Sequence, residues 1–406
     1  MTQRHDLVHP RHASRAAAGL LVAGLLYAAP GAAQLTIRIT GVPAGTAGDI
    51  YVAGSFNNWN PADSAYRLSA SGGEYVITLP PSIRGAVEFK FTRGSWETVE
   101  MGQAGDGVSN RRFTVPENGA VTYEASVAAW RDPATAPRIA STAGPNVSVL
   151  DTAFAIPQLG RTRRVWIYLP PDYATSDKTY PVLYMHDGQN VFDAATSYAG
   201  EWGVDETLDS LHAAGDRGVI VVAVDHGGQR RLDEYSPWRN ARMQTGGEGD
   251  AYAGFLVNTL KPWIDARFRT RPGREDTGIA GSSMGGLISL YAALEYPDVF
   301  GRAGVFSPAF WFAGDSAFAH AAGAAPPRPG TRFYFVTGAQ EGSEPRVYVR
   351  DHQRMVETLA AAGYRPGAET EALVRADGTH SEWFWRREFP AAYRWLFSQT
   401  QPGAPR

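Results

Sequence analysis

The residues of this 406-residue chain best placed to do chemistry are in the segment Gly281-Ser282-Ser283-Met284-Gly285. Its G-x-S-x-G spacing puts Ser283, rather than Ser282, at the centre of a tight turn. The strand-like run TGIAG leads in and the helix-forming run GGLISLYAALEY leads out, the context in which such a turn presents a nucleophile. The turn must be sharp, and Gly281 and Gly285 keep side chains away from the serine backbone. A helix beginning at Met284 would offer free N–H groups and the positive end of its dipole to a developing oxyanion. The chemistry implied is acyl transfer through a covalent serine intermediate. The bland alternative is a glycine-rich strand-to-helix connection that happens to contain serine.

A nucleophile of this kind is followed along the chain by an acid and then a histidine. Only His320, His352 and His380 come after Ser283. His352 lies in a helical pattern and is expected on its surface. His320 lies in an Ala- and Gly-rich segment with no strand leading into it. His380 follows the run TEALVRA through the turn Asp377-Gly378-Thr379, where an imidazole would hang over strand ends, and is the candidate base. The acid is expected after RFYFVTG, where Glu341 and Glu344 are both within reach. Glu341 is nearer the strand end and is the expected acid, with Glu344 the alternative, since a loop can bring either to the imidazole. Asp377 reads as a turn residue. A second oxyanion donor is expected after PVLYM, from the backbone around Gly188 and Gln189, to act with the N–H of Met284. His186, which precedes that loop, reads as a structural or pocket-wall residue.

These loops need a frame. From residue 147 onward, RVWIYLP, PVLYMHD, VIVVAVD, TGIAGSS, AGVFSP, RFYFVTG and TEALVRA are apolar runs of strand length. Helical patterns alternate with them, which predicts an α/β fold with a doubly wound, mostly parallel sheet covered on both faces. Residues 35–125 instead carry short β-branched and aromatic runs between Gly-, Pro- and Asn-rich turns, predicting a small all-β sandwich. The expected division is a leader over 1–33, a β-sandwich over 34–128, a linker over 129–146 and the α/β part over 147–406. Arg4, Arg11 and Arg15, the apolar run AAAGLLVAGLLYAAP and Gly31-Ala32-Ala33 have the order of a secretory signal peptide cleaved near Ala33. The mature chain is then expected in the periplasm or outside the cell, with no stable membrane span. The formal charge of −3 leaves no basic footprint for nucleic acid. Cysteine is absent, which excludes disulfides, thiolate metal sites and cysteine nucleophiles. No metal or other cofactor is expected.

YLPPDY, YPVLYMHDGQNVFD, EWGVDETLD, RRLDEYSPW, GSSMGG, VTGAQE and THSEWFWRREFP occur in order across about 147–398. In these motifs the chain resembles an α/β-hydrolase esterase family that includes feruloyl esterases, enterochelin esterases, esterase D and mycolyltransferases. The resemblance implies a metal-free carboxyl-ester hydrolase whose acid falls on Glu341, where many members carry Asp. It brings Arg231 and Glu234 near the site, as substrate contacts or as a structural ion pair. Trp202 and Trp238 are candidate walls of an acyl pocket, or core. The N-terminal segments IYVAGSFNNWNP, VEFKFTRGSWETVE and NRRF resemble starch- and glycogen-binding modules. That likeness implies a sugar platform of Trp59, Lys90, Trp96 and Asn110, although enterochelin esterases carry a related domain that serves catalysis instead.

The leading expectation is therefore an exported serine carboxylesterase acting on a polysaccharide-linked feruloyl or acetyl ester. A siderophore trilactone esterase, an acyltransferase to a sugar hydroxyl and a non-catalytic glycan-binding protein are the alternatives.

Overall fold

The computed structural model describes residues 34–397 apart from 58, 104–106, 132–138, 199 and 343. The expected leader lies outside the described residues, as does the middle of the expected linker. Among the described residues no helix is long and apolar enough to cross a membrane.

Eight strands form one sheet: β1 (Val147–Ile156), β2 (Arg161–Tyr168), β3 (Val182–Met185), β4 (Ile220–Val224), β5 (Thr277–Ser282), β6 (Arg302–Phe306), β7 (Arg332–Gly338) and β8 (Thr370–Arg375). Their spatial order is β1-β2-β4-β3-β5-β6-β7-β8. β1, β2 and β4 pair antiparallel, and the pairs from β4 through β8 are parallel. Successive strand residues point to opposite faces. Val182 and Tyr184 accordingly enter one buried cluster with α2 (Met284–Glu295) and α3 (Pro345–Ala361). Leu183 and Met185 enter a second cluster with α1 (Val204–Ala213) and α4 (Glu382–Phe397). Both faces are covered, so the strands read as continuous apolar runs rather than alternating ones. Each fully buried Val, Leu or Ile in them contributes about 1.5–3 kcal/mol.

The apolar-run criterion finds seven of these strands and misses β1. That strand lies on the sheet edge, is largely exposed, and has register shifts between Val149 and Asp151 and between Asp151 and Phe154. These shifts break the period-2 signal.

The described residues of 34–130 form strands and loops with two short turns of helix. One sheet joins Ser69–Ser71, Glu74–Thr78, Gln34–Gly41 and Ala120–Ser126. A second joins Tyr51–Gly54, Gly85–Thr92 and Arg111–Val115. Leu35, Ile37, Ile39, Val52, Phe89 and Phe91 pack into their own core. Ala129–Trp130, at the start of the expected linker, pairs with Glu100–Met101 and so extends the β part. The far end of that linker is tied to the α/β part. Ser141 Oγ donates to Asp193 (2.9 Å), Gly144 N–H to Asp205 (2.7 Å) and Asn146 Nδ2 to Asp209 (2.9 Å).

Candidate active site

β5 is buried along its whole length and turns abruptly at Ser283, whose backbone has φ 58° and ψ −120°. Such a conformation is costly for a residue with a side chain and persists only where its surroundings enforce it. Here the Ser283 N–H donates to Phe306 O (2.9 Å), while its carbonyl accepts from Leu287 (3.1 Å) and Ala309 (3.0 Å). A Cβ on Gly281 would lie 2.9 Å from the Gly285 backbone, so the turn closes only with glycine there. α2 begins at Met284, leaving the first N–H groups without helical partners.

β7 and β8 carry the partners. Gln340 N–H donates to Gly378 O (2.9 Å), which draws the two loops together. His380 Nδ1 then lies 2.9 Å from Glu341 Oε2. An ionised carboxylate only accepts, so Nδ1 carries the proton and Nε2 is left free to take one. Glu341 is completely buried, and its other oxygen accepts from Ser307 Oγ (2.5 Å) and Gly338 N–H (2.5 Å). Ser307 in turn accepts from the indole of Trp385 (2.8 Å). Tyr348 and Trp385 flank the imidazole, with ring centroids at 5.1 and 5.2 Å. Glu344 is exposed just before α3, and Asp377 is exposed and paired with Arg387. Of the carboxylates considered, Glu341 is the one that meets His380.

The loop after β3 packs against the turn. Asp187 adopts a left-handed conformation (φ 56°, ψ 47°) and is followed by a helical turn, Gly188–Asn190. A Cβ on Gly188 would lie 2.9 Å from the Asp225 N atom on the neighbouring chain segment. The Gln189 side chain accepts from His226 N–H (3.1 Å), which holds the loop down. His186 is buried between the rings of Tyr235 and Tyr252, with Nδ1 3.0 Å from Tyr252 Oη. Burial pushes its pKa down to about 4. It is a core residue, in keeping with its structural reading.

Other sequence expectations need correction. His352 is 2% exposed rather than on the helix surface, and its Nδ1 sits 2.9 Å from Thr337 Oγ1. It lies three and seven residues before Met355 and Leu359, on the buried stripe of α3. Glu234 does not pair with Arg231. It is fully buried between Arg161 (2.7 Å) and Arg163, whereas Arg231 forks onto Asp187 (2.6 and 2.8 Å). Trp202 is 3% exposed and packs on Phe306 and Trp385, so it is core rather than pocket wall. Trp238 meets Tyr291 and His320 edge-on beside a small apolar hollow that Leu287, Leu290 and Phe310 also line.

Two of the four candidate sugar-platform residues, Lys90 and Trp96, meet Tyr198 of the α/β part. Lys90 is 7% exposed, donates to Val108 O (2.5 Å) and lies 5.5 Å from the ring centre of Tyr198. Trp96 meets Tyr198 edge-on at 5.9 Å, with Trp59 at 6.3 Å on its other side. Asn110 donates to Glu88 (3.1 Å). Lys90 and Trp96 are thus engaged in the junction between the two parts of the chain.

Sequence reasoning missed Ser307, Trp385, Asp187 and Glu382. A serine ending a buried strand (AGVFSP) was the visible signal for the first. Glu382, two residues after His380, is a buried carboxyl whose pKa is pushed up to about 7 by desolvation. Nearby Asp187 raises it further, while the charges of His380 and Arg231 oppose the rise.

Comparison with known proteins places this geometry in context. The family described as "Putative esterase" matches residues 156–396. Protein YbbA of Bacillus subtilis is 26% identical over 248 residues, covering 59% of this chain and 94% of that protein. An endo-1,4-beta-xylanase/feruloyl esterase of Xylanibacter ruminicola is 25% identical over 232 residues, covering 56% of this chain and 28% of that protein. Enterochelin esterase from Shigella flexneri shares the fold with a TM-score of 0.50 at 16% identity. That likeness covers 87% of this chain and 88% of the esterase.

Proposed function

The chain belongs to the Putative esterase family and is a carboxylic ester hydrolase, and from that premise we propose that it works through an acyl-enzyme formed on Ser283. The Ser283 hydroxyl attacks the ester carbonyl while His380 Nε2 takes its proton. Glu341 holds the imidazole in the required tautomer and stabilises the imidazolium without itself being protonated. The N–H of Met284 and those of Gly188 and Gln189 receive the charge that develops on the carbonyl oxygen. His380 then returns its proton to the departing alcohol, and water repeats the cycle in reverse. The observation that carries this reading is the 2.9 Å contact between His380 and a fully buried, fully hydrogen-bonded Glu341. A fluorophosphonate should label the wild-type protein and not Ser283→Ala. Absence of labelling in the wild type would overturn the serine mechanism.

For substrate, we propose a feruloyl or acetyl ester on a polysaccharide, met outside the cytoplasm after removal of the leader. Support comes from the signal-like order of residues 1–33 and from a relative named as a xylanase/feruloyl esterase. A catecholate trilactone is the second substrate to test, because the enterochelin esterase fold covers both parts of this chain. Turnover of methyl ferulate, acetylated xylan and a catecholate trilactone would rank these substrates. Adding a xylo-oligosaccharide acceptor would separate hydrolysis from acyl transfer.

A further inference from the structure

Two backbone segments must keep a constant spacing if Met284 and the Gly188–Gln189 loop are to share one oxyanion, yet they lie almost a hundred residues apart in sequence. Their mutual position rests on Asp187 and Arg231. Arg231 Nε and Nη2 contact Asp187 Oδ1 and Oδ2 at 2.6 and 2.8 Å, a two-pronged geometry that fixes direction as well as distance. The same Nη2 reaches the carbonyl of Ser282, the peptide that enters the nucleophile turn, at 3.4 Å. Asp187 is buried, and its N–H donates to Tyr235 Oη (3.1 Å), above whose ring the guanidinium carbon sits at 5.2 Å. A Cβ on Gly285 would lie 3.3 Å from Asp187 Oδ2. The carboxylate therefore touches the first turn of α2 on one side and Arg231 on the other.

We infer that Arg231 and Asp187 are positioning residues, a partly buried clamp that sets the distance between the two halves of the oxyanion hole. This inference rests on the serine reading of the site. It gives Arg231 a role distinct from substrate contact, because its fork is already occupied by Asp187. It also accounts for left-handed Asp187. The strained residue directs its N–H to Tyr235 and its carboxylate to Arg231, and Gly188 and Gln189 follow from there.

The test compares Arg231→Lys, Arg231→Gln, Asp187→Asn and the double variant Asp187→Asn/Arg231→Gln with wild type, using p-nitrophenyl acetate. A clamp that acts on the transition state should lower kcat by about 10- to 100-fold with KM changed less than about 2-fold. Affinity for a phenylboronic acid, which forms a tetrahedral adduct on the serine, should fall by the same factor as kcat/KM. The double variant should be about as slow as the slower single variant, since either change opens the same clamp. Arg231→Lys keeps the cation but not the fork. The double variant leaves no unpaired buried charge, so at least these two keep the test open if a single variant fails to fold. A loss carried by KM, an unchanged boronate affinity, or losses that multiply in the double variant would each overturn the inference. Ser283→Ala separates the two levels. Turnover that survives it overturns the serine reading and the clamp together, whereas full activity in Arg231→Lys and Asp187→Asn beside an inactive Ser283→Ala overturns the clamp alone.

Discussion

Ser307 Oγ lies 2.5 Å from the Glu341 oxygen that His380 does not use. With Gly338 N–H on the same oxygen, the carboxylate has no unsatisfied side and no exposed surface. Ser307 has a positive φ of 43° and is itself held by the indole of Trp385. A residue from the end of β6 and one from α4 thus orient an acid that follows β7.

Glu341→Gln should reduce kcat for p-nitrophenyl acetate by about 10²–10⁴, because an amide can donate to Nδ1 and so favours the wrong imidazole tautomer. Glu344→Gln, at an exposed position, should stay within about 2-fold of wild type. Steady-state kinetics of the pair decides which carboxylate serves His380, and equal effects would count against Glu341.

Ser307→Ala removes a donor to Glu341 and the acceptor of the Trp385 indole together. The expected cost is about 1–3 kcal/mol of stability from the polar atoms left without partners, with roughly a 10-fold fall in kcat. Urea denaturation and kinetics on one preparation measure both. A variant that loses stability at full kcat would confine Ser307 to a structural role.

The Glu382 pKa of about 7 has a consequence for stability. Its unfolded-state value is that of an ordinary Glu, about 4.3. Between these values the folded protein binds more protons than the unfolded one, so this group lowers stability as pH rises from about 4.5 to 7. Glu382→Gln removes that penalty, which amounts to no more than ~4 kcal/mol. The melting temperature of the variant should gain on wild type as pH is raised from 5 to 8. A constant difference across that range would show that Glu382 titrates normally.

Trp96 and Tyr198 bring the β-rich part against the α/β part edge-on at 5.9 Å. Trp96→Ala and Tyr198→Ala should each destabilise the chain, with a coupling of about 0.5–1.5 kcal/mol between them in a double-mutant cycle. Additive effects would mean that the two rings do not depend on each other and would return Trp96 to the set of candidate sugar contacts.

Much of this was legible in the sequence because it is local. Seven of the eight strands announce themselves as apolar runs, since a sheet buried on both faces needs them. The turn at Ser283 is marked by glycines that only a close backbone approach requires, and His380 stands out by its place after the last strand. The edge strand β1 left no such mark, because an exposed, bulged strand has little apolar period to show. Spatial neighbours were illegible for a different reason. Glu341 and Glu344 lie three residues apart; nearness to the strand end favours Glu341, but its contacts with Ser307, Gly338 and His380 are not written in that spacing. Arg231 could not be matched to Asp187, or Glu234 to Arg161 and Arg163, because pairing of buried charges is set by which side chains packing brings within about 3 Å. The same holds for Lys90 and Trp96, whose residue types fit a sugar platform but whose positions, decided by the packing of one part of the chain on the other, turn them toward Tyr198.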